Sequence, residues 1–217
     1  MFSKWFGRDE EEKRPPSLPS PYNLRLKAAV DIDAIPFAVY RDALNVELPA
    51  KTQIIEAQGK VDLGAGAYLN RYYTSDDAFL QVNTTGGFEE QHVDDIKLFV
   101  FEKTLHPATQ AEWEAWTGEN SRIGDAVFTL RDTEYRRVWS AESPGSILPV
   151  EFEETVTNLI EDQSDYNVLH LAMLYERPIG ADGKYEYLLV SAEHTGEDAC
   201  IVISLGVDLD PESFQVT

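Results

Sequence analysis

The chain has 217 residues, of which 43% are hydrophobic, 11% aromatic and 26% charged. That is the composition of a globular protein with a sizeable core, and no run approaches the roughly 20 apolar residues that a helix needs to span a bilayer. With 39 acidic against 18 basic side chains the net charge is −21, which repels phosphate backbones and argues against a nucleic-acid partner.

The single cysteine, Cys200, cannot form an intramolecular disulfide, as suits a reducing compartment. It lies in the apolar run Ala199-Cys200-Ile201-Val202-Ile203 and reads as a buried small hydrophobe. The N-terminal stretch lacks the apolar core of roughly 7–15 residues that marks a secretory signal, so the expected location is cytoplasmic. The charge is uneven. Residues 140–217 carry 16 acidic and two basic side chains, while residues 1–14 carry four of each. The acidic C-terminal third is a solvated face, or a docking face for a cationic partner such as a polyamine or divalent ion.

In chain order, residues 1–21 read as an arm and linker. Pro15, Pro16, Pro19 and Pro21 exclude helix and central strand, and the segment reads as a polyproline II spacer. Ahead of it, Phe2, Trp5 and Phe6 fall at i, i+3 and i+4 beside Lys4 and Arg8. Such a cluster suits contact with a partner groove or, weakly, with a membrane surface. Residues 22–217 read as one β-rich domain. The predicted fold is mainly β, a β-rich α+β arrangement. Its sheets form an antiparallel sandwich or are rolled, or make two related β lobes split near 105–125. Strands are predicted at Leu24–Ala28, Val46–Pro49, Gln53–Leu63, Ala67–Tyr73, Ala78–Thr84 and Ile96–Glu102 from period-two alternation and turn residues. One helix is predicted near 107–117, from alanine and glutamate closed by Gly118. Further strands follow at Ala126–Leu130, Tyr135–Trp139, Pro149–Ile160, Val168–Tyr175, Tyr185–Ala192 and Ala199–Gly206. A faint likeness between the hairpins around Tyr73–Val82 and Tyr175–Val190 motivates the two-lobe alternative.

Three constellations are candidates for function. Arg71, Tyr72 and Asp76 bracket a hairpin turn and could recognise a ligand, although a tight hairpin favours such residues anyway. Glu90, His92 and Asp94 alternate, so on a strand they would share a face and offer a weak metal site. His170 sits within a strand and reads as a satisfied structural histidine. No hydrolase, zinc-protease or P-loop motif is present, so no catalytic residue and no cofactor is assigned.

The order of segments resembles a known family. Arg71-Tyr72-Tyr73, Asp76-Asp77-Ala78-Phe79-Leu80-Gln81-Val82, Thr84-Thr85-Gly86-Gly87 and His92 to Phe101 carry the resemblance. Gln110, Glu112, Trp113, Trp116, Leu171–Tyr175 and Ile203–Leu209 extend it. Together they resemble the YjfK family of bacterial proteins of unknown function, over about residues 22–209. The resemblance implies no activity and no catalytic residues. It implies a setting beside a membrane-remodelling protein of the phage-shock-A kind and an ATP-grasp enzyme resembling glutathionylspermidine synthetase. The expectation is a non-enzymatic cytoplasmic adaptor for a membrane-stress or coiled-coil partner. The alternatives are a small-ligand or polyamine-binding module on the acidic third and, last, an enzyme.

Overall fold

The computed structural model describes residues 20–158, 165–180, 183–196 and 198–217. β1 (Ala29–Ile32) leads into β2 (Thr52–Gly64), β3 (Ala67–Thr74), β4 (Ala78–Thr85) and β5 (Val93–Leu105). The helix α1 (Gln110–Thr117) precedes a short hairpin of β6 (Val127–Leu130) and β7 (Thr133–Arg137). Then come β8 (Val150–Asn158), β9 (Tyr166–Ile179), β10 (Lys184–Thr195), β11 (Asp198–Asp208) and β12 (Phe214–Val216). The hairpin turns follow local chemistry. Gly64, Ala65 and Gly66 all have positive φ between β2 and β3, and Asp77 takes the left-handed conformation before β4. Helix α1 starts where Thr109 accepts a hydrogen bond from the Glu112 amide and buries Trp116.

The protein is mainly β, as predicted, but its sheets do not stack as a sandwich. One antiparallel sheet closes on itself into an eight-stranded barrel, in the order β2-β3-β4-β5-β11-β10-β9-β8 and back to β2. Closure removes the free edges that a sandwich leaves open. β12 and β1 extend the sheet beyond β2, and β7 and β6 extend it beyond β9. The hairpins that suggested two related lobes, β3–β4 and β9–β10, belong to this same barrel, joined through the β5–β11 pairing.

Two predicted strands are absent. Leu24 to Ala28 is a turn, with the Ala28 amide bonded to the Arg25 carbonyl at 3.1 Å. The stretch around Val46 is irregular because the Asn45 and Val46 amides donate to the Glu186 carboxylate, at 2.6 and 2.8 Å, rather than to a neighbouring strand. Both segments lie over the outer face of the barrel. There Leu24, Val46, Trp116 and Ile123 join one apolar cluster with the outward residues Leu80, Leu98, Leu188 and Leu205. This cover explains why β4, β10 and β11 are buried on both faces.

A second, smaller cluster fills the barrel interior: Phe79, Phe99, Ala172, Leu174, Tyr187 and Leu189. Its members come from strands on different sides of the barrel, so they meet across the lumen. Gly206 makes room for Phe99. A Cβ there would stand 2.5 Å from Phe99 Cδ1 and 2.9 Å from the Leu98 carbonyl oxygen. Gly206→Ala is therefore expected to lower the unfolding free energy by about 1–3 kcal/mol through overpacking, measured by urea denaturation.

Candidate functional site

Beside the apolar belt, the barrel lumen holds a charged network assembled from five strands. Arg71 on β3 donates from Nη1 to Glu154 Oε2 on β8 at 2.7 Å and from Nε to Gln81 Oε1 on β4 at 3.2 Å. Tyr73 donates its hydroxyl to Glu154 Oε1 at 2.8 Å. His170 on β9 brings Nε2 to 2.9 Å from Glu154 Oε2, off the axis of a straight hydrogen bond. Its Nδ1 lies 3.0 Å from Ser191 Oγ on β10 and 3.6 Å from Glu193 Oε1. The His170 ring stacks on Phe152, and the Arg71 guanidinium lies over Phe79 and Phe152.

Gly59 on β2 makes this geometry accessible. Arg71 pairs with Gly59 across β2–β3, and Gly59 in turn pairs with Val156 of β8. A Cβ at Gly59 would sit 1.5 Å from Glu154 Oε1. The missing side chain lets guanidinium and carboxylate meet over the intervening strand.

The electrostatics follow from burial and pairing. Burial alone would raise the Glu154 carboxyl, but Arg71, His170 and the Tyr73 hydroxyl outweigh it and hold Glu154 down at about 2. Burial together with the Glu154 charge pushes the Tyr73 phenol well up. Burial raises Glu193, and the neighbouring Glu154 charge adds to the shift, against the opposing pull of His170 and Arg71. Further along the lumen Lys97 bridges Asp95 and Asp208 at 2.9 and 3.1 Å, over the Tyr187 ring.

Ser191, His170 and Glu154 stand in the order of nucleophile, base and carboxylate. They are 2%, 1% and 0% exposed, and the cavity beside Ser191 is about 30 Å³, room for one group of water's size. The network joins five strands inside the lumen.

The predicted site residues are dispersed. Arg71 points into the lumen. Tyr72 points outward, where its hydroxyl lies 2.8 Å from Ser20 Oγ and burial pushes it up to about 12. Asp76 accepts from the Ala50 amide at 2.7 Å. Glu90 and His92 fall in a 3₁₀ turn rather than a strand, so they do not share a face with Asp94. His92 Nδ1 lies 3.1 Å from the Thr85 carbonyl oxygen, and Asp94 accepts from Thr85 Oγ1 at 2.7 Å. Among the described residues, no group of three His, Cys, Asp or Glu side chains is placed to hold a metal ion. Phe2, Trp5 and Phe6 lie outside the described residues. Among those described, no helix is long and apolar enough to cross a membrane. The structural reading of His170 fits its buried position. Glu154, Tyr73 and Glu193 were missed. The available signal was alternation: Phe152, Glu154 and Val156 share one face of a strand, which puts a carboxylate among apolar neighbours.

Two outcomes test the network. Arg71→Met strands a buried carboxylate and is expected to cost about 3–5 kcal/mol, whereas Arg71→Met with Glu154→Gln costs less than Arg71→Met alone; chemical denaturation checks both. The Glu154 carboxyl lies lower in the folded protein than its ordinary 4.5, so its stabilisation is complete above pH 4.5 and lost as pH falls towards 2. Thermal melts across that window are expected to show a falling midpoint that Glu154→Gln flattens.

Comparison with known proteins bears out the family resemblance. The chain is 32% identical to the uncharacterised protein YjfK of Escherichia coli strain K12 over 221 aligned residues, covering all of this chain and 98% of that protein. No solved structure matches it. The family model described as a protein of unknown function, DUF2491, matches residues 1–215, and the chain belongs to that family.

Proposed function

We propose that this chain is a non-enzymatic cytoplasmic adaptor that binds a protein partner in a membrane or envelope-stress assembly. The observation that carries the reading is the packed lumen. With aromatic side chains and ion pairs filling the barrel, recognition of a macromolecule falls to the outer surface. That surface offers an apolar groove of about 190 Å³ lined by Phe37, Val39, Ile179 and Tyr185. Ile35 and Val39 beside it are 76% and 81% exposed, unusual for branched aliphatic side chains grouped on one short turn. The partner expected is a coiled-coil membrane-remodelling protein, which would lay an apolar helix face on the groove. The arm with Phe2, Trp5 and Phe6 would add a second contact. The alternative, a module for a small cationic ligand, draws on the 16 acidic side chains of residues 140–217.

The test uses affinity capture from native cells with three baits: the full chain, a chain lacking residues 1–14, and Ile35→Asp with Val39→Asp. The expected result is a coiled-coil membrane-remodelling protein retained by the full chain and depleted at least about tenfold by the double substitution, the effect of losing a small hot spot, with the melting temperature unchanged. Equal capture by all three baits contradicts the reading.

A further inference from the structure

Among the described residues, the end of the barrel that carries Glu193 is open. A funnel of about 440 Å³ leads inward from solvent between Asp77, Phe101, Lys103 and Cys200. It shares Phe101, Glu193 and Val202 with the inner cavity of about 30 Å³, whose wall continues to Arg71, Tyr73 and Ser204. The mouth is thus wide enough for a chain and the floor for a single head group.

Three features of this site select the ligand. The first is charge. The lumen network holds one guanidinium, Arg71, against two carboxylates, Glu154 and Glu193. Arg71 is spent on Glu154 at 2.7 Å, which leaves the Glu193 carboxylate, 3.6 Å from His170 Nδ1, beside the funnel. The second is the aromatic wall. Tyr73 and Phe101 stack at 6.4 Å between centroids, and Phe79 packs against Phe101 at 5.4 Å. A carboxylate backed by aromatic rings is how proteins recognise ammonium groups. The third is an unused hydroxyl. Ser204 lines the inner cavity, is 2% exposed and has no hydrogen-bond partner among the described residues. Anions are disfavoured here, because Asp77 and Glu193 outnumber Lys103 around the funnel, where Glu102 is paired with Arg131.

We infer that this mouth is a binding site for a primary ammonium group on a narrow alkyl chain, with the head group between Glu193 and Ser204 and the chain against Phe101. The head donates to the Glu193 carboxylate and the Ser204 hydroxyl, and its methylenes cover the rings of Tyr73 and Phe101. Burial makes the Glu193 charge costly in the free protein, and a bound cation relieves that cost. The site does not depend on the adaptor reading, since it uses none of the groove around Ile35 and Val39. The same chemistry is offered by a free alkylamine and by a lysine side chain.

The experiment titrates the full chain at low ionic strength with n-butylammonium, with Nα-acetyl-lysine amide and with 1-butanol as the uncharged control, read by calorimetry and by amide NMR shifts at the mouth. Butylammonium is expected to bind and 1-butanol not. Glu193→Gln is expected to weaken butylammonium binding by about tenfold or more, the loss of one charge-assisted hydrogen bond. Phe101→Ala, at a half-open position, gives a second reading should Glu193→Gln melt early, and it too should weaken binding. Binding of the lysine amide in addition identifies a protein side chain as a source. Exclusion of the lysine amide with binding of butylammonium identifies a free amine. The inference is overturned if butylammonium does not bind, if 1-butanol binds equally, or if a folded Glu193→Gln or Phe101→Ala protein binds as the parent does.

Discussion

The ion pair between Arg71 and Glu154 sits where the barrel is weakest. β2 and β8 pair over only four residues, whereas β9 and β10 pair over eleven and β10 and β11 over ten. A short joint contributes few ladder hydrogen bonds, so closure needs support from side chains. Arg71 reaches from β3 across Gly59 of β2 to Glu154 of β8 at 2.7 Å and ties the three strands on their inner face. Tyr73 and His170 complete the shell around the same carboxylate, so its charge is both used and satisfied.

The hairpins were legible because their causes are local. Gly64-Ala65-Gly66 and Ser75-Asp76-Asp77 dictate turns from their own side chains, and alternation between them sets which face each residue takes. Helix α1 was legible for the same reason. Barrel closure was not, because it depends on Arg71 finding a partner 83 positions away. In the sequence Glu154 is one acid among Glu151, Glu153 and Glu154, and only strand register separates the buried one from the exposed ones. The strand expected at Leu24–Ala28 failed instructively. Its alternating apolar residues are real contacts, but they belong to a covering segment that packs on the barrel, and packing alone does not supply a ladder partner. The grouping of Arg71 with Tyr72 failed because neighbours on a strand face opposite ways: one lies in the lumen and the other under the cover.

Function is left to what the packing does not consume. The lumen around Glu154 and the aromatic belt is packed, and the long outer faces of β4, β10 and β11 are covered by the overlying segments. What remains is the apolar groove beside Ile35 and Val39, the open mouth at Glu193, and the acidic surface of the C-terminal third.

The most direct measurement is the titration of the Glu154 side-chain carboxyl by ¹³C NMR in the folded protein. A buried carboxylate clasped by Arg71 across the barrel joint titrates near 2, far below its ordinary 4.5. Titration at or above 4.5 would mean that Glu154 is not held by Arg71 and that the barrel is closed by something else.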